Sequence, residues 1–403
     1  MTLSEELTWR GLVNQTTFTD ITQLDTESRT FYFGVDPSAS SMHIGNLAGV
    51  MLTLHLAKAG FKPIVLVGGA TGMIGDPKDD MERDLKPLEE IEQNKTGIAE
   101  QYKTLLGGQD FELVDNYDWF KDIGYLSFLR DVGKHFSMTQ LLDREFIKAR
   151  IGENGVGISY AEFSYSLIQG YDFLHLFREK GATVQIGGSD QWGNMLSGAQ
   201  MIKKLEGVEA HVLTVPLVVD KKTGRKFGKS EGNAVWLDPN LTSPYQFYQF
   251  WLNCDDETSE ELIKIYTFLD SGTVETILAE HKNNPGARSL QRRLAKEVTT
   301  IVHGNERCES VERVTNALFG GDNVDSLSSE DIDVLAGEIP TASLNKSLIE
   351  VLVESTLAAS NGEARRLLQS NAISINGVKV ADDRVIETLS LIKKGKNNFV
   401  LVR

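Results

Sequence analysis

The sequence predicts an α/β protein: a doubly wound, Rossmann-like parallel-sheet domain, followed by an α-helical domain and a small α+β domain at the C-terminal end. Three observations carry this. Short apolar runs alternate with amphipathic stretches through the first half, strand signals vanish between about 220 and 318, and an Asn376-Gly377 turn stands between two alternating runs near the end.

In chain order, strands are expected over 31–35, 63–69 and 111–116, with a helix from about 45 to 59 between the first two and a long helix near 82–106 between the last two. ATVQIGG (182–188) and HVLTVPLVV (211–219) repeat the pattern around a helix beginning near Trp192. Runs this apolar are buried on both faces, as parallel strands covered by helices are. A nucleotide-binding domain over 1–220 follows, with an insertion near 115–160. SPYQFYQFWLN, EELIKIYTFL and SLQRRLAKEVTTIV have a helical period, so 221–318 reads as a lysine-rich loop leading into a helical domain. Residues 319–345 hold six acids, no Lys or Arg and several Gly, Ser and Pro, the composition of a surface linker. Over 346–403, SLIEVLVESTL and EARRLLQS suggest two short helices, and ISINGVKV carries the strongest short-range hairpin signal.

The 403 residues admit two to three domains, and 41% hydrophobic with 24% charged residues excludes disordered and collagen-like chains. Cys254 and Cys308 stand far apart in no CxxC or Cys/His spacing, so a disulfide framework or structural zinc site is not expected and a reducing, cytoplasmic setting is. No uncharged run approaches the ~20 apolar residues of a membrane span, and the first residues do not read as a targeting peptide. A net charge of −16 argues against non-specific nucleic-acid binding, yet Leu335 to Arg403 carries 9 basic against 7 acidic residues and leaves −18 on the remainder. Any basic surface is local.

Glycine-containing segments at expected strand ends are where a doubly wound sheet binds ligands. In GVDPSASSMHIGN the strand breaks at Asp36-Pro37, and His43, Gly45 and Asn46 open an apolar helix whose free N–H groups and dipole suit phosphate. Plain helix capping by Ser38 to Ser41 fits the same letters. VLVGGATGMIGDP matches neither the dinucleotide fingerprint nor the P-loop; its glycines fit tight strand-to-helix packing, while Asp76 could meet an ammonium or hydroxyl. In QIGGSDQWGN, Asp190 fits a helix cap or a ligand contact. DKKTGRKFGKSEGN packs Lys221, Lys222, Arg225, Lys226 and Lys229 among glycines, which suits solvated surface or a loop closing on polyphosphate. On one face of the helix over 160–177, Tyr165, Gln169 and Asp172 fall at i, i+4 and i+7 amid dense aromatics, a stripe that suits a pocket wall.

Taken together, HIGN (43–46) and KFGKS (226–230) resemble the HIGH and KMSKS signatures of class I aminoacyl-tRNA synthetases. The tyrosine-specific branch of bacterial type is most similar, through Tyr32 on the first strand, TGMIGDP, YSLIQGYDF and QIGGSDQWGN. The resemblance covers nearly the whole chain, including a C-terminal domain similar to the αL RNA-binding fold of a ribosomal small-subunit protein. It implies ligation of tyrosine to the 3′ end of its tRNA through a tyrosyl-adenylate. ATP with accompanying Mg²⁺ would be consumed, with no tightly bound cofactor, protein metal site or membrane involved.

The same resemblance implies roles residue by residue. His43, Asn46, Lys226 and Lys229 would act on the ATP phosphates, with Asp36, Ser38, Gly45, Asp190 and Ser230 completing the nucleotide site. Tyr32 and Asp172 would hold the tyrosine hydroxyl, Tyr165, Gln169 and Asp76 its ammonium, and Gln191 would lie beside the reacting carboxylate. Arg365, Arg366 and Lys379, together with Lys393, Lys394 and Lys396, would meet RNA, and the insertion would make a homodimer. Three departures stand out: Asn46 replaces the second His, Phe227 and Gly228 replace Met and Ser, and KDDMERDL (78–85) is unusually acidic, so no role is expected of Arg83.

Overall fold

The computed structural model describes residues 1–77, 85–142, 145–152, 155–219, 229–230, 233–320 and 323–403. They form two compact units, Met1–Thr242 with Cys254–Leu294, and Ser243–Asn253 with Ala295–Arg403.

The first unit runs α1 (Leu3–Arg10), β1 (Gln15–Thr16), β2 (Thr30–Val35), α2 (Ile44–Lys58), β3 (Lys62–Val67), α3 (Gly69–Gly72), α4 (Leu88–Leu105) and β4 (Glu112–Asp115). The insertion holds α5 (Tyr117–Phe120), α6 (Tyr125–Asp131), α7 (Met138–Leu142) and α8 (Glu145–Ile151). Then come α9 (Tyr160–Lys180), β5 (Ala182–Gly188), α10 (Trp192–Glu206), β6 (His211–Val215) and a short hairpin of β7 (Lys229–Ser230) and β8 (Asn233–Ala234). Beyond α11 (Pro244–Leu252), which belongs to the second unit, lie α12 (Asp256–Ile265) and α13 (Ser271–Asn283), and the boundary between units falls within α14 (Ser289–His303).

The sheet has the order β1-β6-β5-β2-β3-β4. All neighbours are parallel except the two-residue edge strand β1, which lies antiparallel to β6. From β2 the chain winds outward through β3 and β4, then returns to the opposite side of β2 for β5 and β6. That reversal leaves a crevice beyond the carboxyl ends of β2 and β5, and both strands end in residues singled out above. Helix α2 is apolar all round, and every residue from Leu47 to Leu56 is buried, as a helix without a polar face must be.

Two expected bounds move for a proline. β6 stops at Val215 because Pro216 brings no N–H to the ladder, and α4 starts at Leu88, directly after Pro87.

The second unit adds α15 (Asn305–Thr315), α16 (Ser329–Glu338), β9 (Thr341–Ala342), β10 (Lys346–Ser347), α17 (Leu348–Glu354) and α18 (Asn361–Gln369). It ends in β11 (Ile373–Ile375), β12 (Val378–Val380), β13 (Val385–Ile386), β14 (Ser390–Lys394) and β15 (Asn398–Val402). The hairpin forms as expected, with Asn376 and Gly377 at φ 48° and 81° between the Ile375–Val378 pair.

The expected linker over 319–345 is a correction. β9 pairs in parallel with β15, and Leu335 of α16 is buried with Val314, Leu318, Leu391 and Leu401 in one apolar cluster. Its acids are not all solvated: Asp331 is buried because the Arg313 guanidinium, the Ser310 hydroxyl and the Ser328 N–H complete its shell. A domain starting at 346 would cut through this core, and the expected helical domain of 221–318 is divided between the two units.

Candidate active site

A cleft of about 1210 Å³ opens at the sheet reversal in the first unit. Tyr32, Asp36, Ser38, His43, Gly45, Asn46, Asp76, Tyr165, Gln169, Asp172, Asp190 and Gln191 all line it, so the sequence-predicted residues with described side chains in this unit come together.

On one side lies the histidine turn. His43 is the N-cap of α2: its Nδ1 accepts the Gly45 N–H at 2.9 Å, while Asn46 Oδ1 accepts the His43 N–H at 3.1 Å. This reciprocal box satisfies two donors that a helix start otherwise leaves open. The carbonyl end of Asn46 is committed to this cap, which leaves its amide N–H₂ as the end that can donate. The Ile44 N–H donates to Val235 O at 3.0 Å and the Leu237 N–H to Met42 O at 2.9 Å, which ties the turn to the strand leaving β8.

At the cleft floor a buried polar chain joins four elements. Asp36, just past β2, accepts from the Tyr165 hydroxyl at 2.7 Å and the Thr71 hydroxyl at 2.6 Å. A Cβ on Gly68 would stand 2.2 Å from Thr71 Oγ1 and 2.3 Å from Asp36 Oδ1, so only glycine leaves room for that pair. Asn116 Nδ2 reaches both Thr71 Oγ1 and Asp172 Oδ2 at 3.1 Å, and the Trp119 indole N–H donates to Asp172 Oδ1 at 2.9 Å. Burial pushes the Asp172 carboxyl up to about 8, against the hydrogen bonds from Asn116 and Trp119 that favour its charge. Burial and the nearby carboxylates likewise raise the Tyr32 and Tyr165 phenols well above their usual value.

Tyr32 is 1% exposed, and its hydroxyl finds no hydrogen-bond partner among the described residues. Gln169 Oε1 is buried and unpartnered in the same way. Buried polar groups are almost always satisfied, so two orphans beside a fixed carboxylate, all lining one cleft, mark a place for a polar ligand.

The second polar cluster is built from Asp76. Gln191 Nε2 donates to Asp76 Oδ2 at 2.8 Å, Asn194 Nδ2 to Gln191 Oε1 at 3.1 Å, and the Ser166 hydroxyl to Asn194 Oδ1 at 2.7 Å. Sequence reading missed Thr71, Asn116, Trp119 and Asn194. A weak signal existed for Asn116 and Trp119, which lie just past β4, Asn116 directly after it and Trp119 three residues further on; for Thr71 and Asn194 only their place within the glycine-rich segments pointed there.

Comparison with known proteins then decides the family. Residues 24–320 match the family described as tRNA synthetases class I (W and Y), and residues 331–403 match the tyrosine–tRNA ligase SYY-like C-terminal domain. The tyrosine–tRNA ligase of Flavobacterium psychrophilum is 42% identical over 100% of this chain and 96% of its own length. That of Streptococcus thermophilus is 43% identical over 100% of both. The chain belongs to the tyrosine–tRNA ligase family of class I tRNA synthetases. Among solved structures, a C-terminally truncated mitochondrial tyrosyl-tRNA synthetase of Aspergillus nidulans matches with a TM-score of 0.71 at 29% identity, covering 79% of this chain and 94% of that one.

The remaining family-implied residues divide. Lys226 lies outside the described residues, as does Arg83; of Lys229 and Ser230 the backbone is described, pairing with Ala234 and Asn233. Arg365 and Arg366 are exposed on α18 and Lys379 on β12; Arg366 Nε donates to Gly362 O at 3.4 Å, and its charge contributes to holding the Glu363 carboxyl below its usual value. Lys393 and Lys394 are half-buried and also meet the fold: Lys393 Nζ donates to Leu318 O at 3.3 Å and sits 4.9 Å over the Phe399 ring, while Lys394 Nζ donates to Leu357 O at 2.6 Å. No cluster of three or more His, Cys, Asp or Glu among the described residues could hold a metal ion.

Proposed function

We propose that the chain ligates L-tyrosine to the 3′ end of tRNA(Tyr), consuming ATP and releasing AMP and pyrophosphate. The observation that carries this is the orphaned Tyr32 hydroxyl in the pocket of an Asp172 carboxylate held from behind by Asn116 and Trp119. A substrate phenol supplies what that pair lacks. A site built to bond a substrate hydroxyl rejects the analogue without it by roughly 10⁴–10⁵, tyrosyl-tRNA synthetase against phenylalanine being itself the reference case.

In the first step the tyrosine carboxylate oxygen attacks the α-phosphorus of ATP, and pyrophosphate leaves with the bond pair. The nucleophile is already an anion, so no side-chain nucleophile or general base is required, and catalysis rests on alignment and on neutralising the leaving phosphates. The α2 N-terminus, His43, Gly45 and the Asn46 amide suit those phosphates, and Lys226 and Lys229 would close on them from the lysine loop. Asp36 and Ser38 lie toward the nucleotide, and Asp190 suits the ribose. Gln169 and the Asp76 cluster suit the amino acid's ammonium, with Tyr165 as their neighbour and Gln191 beside the carboxylate. In the second step a hydroxyl of the tRNA's terminal ribose takes the tyrosyl group and AMP departs.

Arg365, Arg366 and Lys379 would meet tRNA phosphates. The enzyme would work in the cytoplasm as a homodimer through the insertion, a reading supported by Tyr125, Leu126, Met138 and Leu142, all of which are exposed there. No helix among the described residues is long and apolar enough to cross a membrane. ATP–pyrophosphate exchange run with each of the twenty amino acids tests the reading: exchange with tyrosine alone is expected, and exchange that needs no tyrosine overturns it.

A further inference from the structure

The loop from Asp36 to the histidine turn packs against helix α4 along a single face of that helix. Asn94, Gly97 and Gln101 are spaced at i, i+3 and i+7, which puts them in one row. Asn94 Nδ2 donates to Pro37 O at 3.0 Å. At Gly97 the loop comes so close that an added Cβ would stand 2.2 Å from Ser40 O. Gln101 Oε1 accepts the Met42 N–H at 2.8 Å, and its Nε2 donates to Ser41 Oγ at 2.7 Å.

Ser41 is 4% exposed, and its hydroxyl is a hub. It donates to Met42 O at 2.6 Å and accepts from Gln101 and, at 3.1 Å, from the Asp238 N–H. Asp238 lies four residues beyond β8, on the strand that bridges to His43 through Trp236. One carboxamide therefore braces the backbone immediately before His43 and, through Ser41, the arm that follows the lysine segment.

We infer that Gln101 is a positioning residue for the nucleotide step: it sets the height of the histidine turn against the downstream arm of the lysine loop without touching a substrate. This rests on the reading that ATP phosphates sit at that turn. On that reading tyrosine is held elsewhere, by groups on β2 and α9 and by the Asp76 cluster, so the two substrates should separate.

The test uses the full-length chain carrying Q101A, G97A or Q101E, with tyrosine affinity measured by equilibrium binding and kcat/KM for ATP by pyrophosphate exchange. Misplacing reacting groups by about 1 Å costs up to ~100-fold, so Q101A and G97A should lose about 10- to 100-fold in kcat/KM for ATP with tyrosine affinity held within about twofold. G97A is informative because alanine favours the helix while pushing the loop away. Q101E keeps an acceptor for Met42 and should recover most of the loss. Native ATP parameters in both Q101A and G97A, or tyrosine binding that weakens in step, would overturn the inference. Hydrogen exchange at the Met42 amide gives a readout independent of activity: Q101A should lose protection there, and unchanged protection counts against Gln101. A native chain with no tyrosine-dependent exchange would sink the functional reading instead, while the Met42 measurement would still decide whether Gln101 holds the turn.

Discussion

Trp119 and Asp172 meet at 2.9 Å, indole N–H to carboxylate, while the same indole stacks on His175 at a centroid distance of 4.4 Å. The carboxylate is thus aimed by a ring that is itself held in place. W119F keeps a ring for the stack and removes the donor. Losing the donor leaves a buried acceptor unsatisfied, at about 1–3 kcal/mol, so tyrosine affinity should fall roughly 5- to 100-fold with ATP affinity little changed. Equilibrium binding of each substrate checks this, and equal loss of both would contradict it.

Asp172 also carries a pH signature. Its carboxyl titrates near 8 in the fold against 3.8 when unperturbed, so as pH rises the unfolded chain releases this proton first. Ionisation then favours unfolding: the contribution to stability is whole below about 4, declines between 4 and 8, and is gone above. D172N carries no such proton. Its melting temperature relative to the native chain should climb from pH 5 to pH 8 and then level, and a difference that stays flat across that window would refute the assignment.

His43 caps α2, and on the proposed reading it also binds the ATP phosphates; substitutions can separate the two roles. H43A removes the N-cap of α2, at a cost of about 0.5–2 kcal/mol, and should lower both the melting temperature and the exchange rate. Asparagine caps helices well, so H43N should restore the melting temperature and leave exchange depressed. Thermal melts alongside exchange assays decide; full recovery of both by H43N would show that capping was the only role.

Charge reversal at Arg365, Arg366 and Lys379 should weaken aminoacylation at least ~10-fold at physiological salt and flatten the salt dependence of tRNA binding, since phosphate contacts release counterions. Tyrosine-dependent exchange should be unaffected. Deleting 346–403 would be a poor substitute, because β9 and the α16 cluster would lose their partners β14 and β15.

Much of the fold was legible because its signals are local. The apolar runs of β2, β3 and β5 and the type of turn at Asn376-Gly377 depend on neighbours a few residues apart. The linker over 319–345 misled for the converse reason: acids and glycines signal solvent on average, yet Asp331 is buried because Arg313, 18 residues earlier, meets it. Composition cannot register a partner on another helix.

The site was legible through motifs, each in its place along the chain, and that is why His43, Tyr32, Asp76 and Asp172 could be named from letters alone. Their wiring could not. Tyr165 reaches Asp36 across 129 residues, and Trp119 reaches Asp172 across 53, distances that close only when β5 returns to the far side of β2. Period, turn chemistry and charge balance belong to the chain as written; which buried donor satisfies which carboxylate is chosen by sheet order, because a hydrogen bond reaches about 3 Å and only the packed fold brings such remote groups that close.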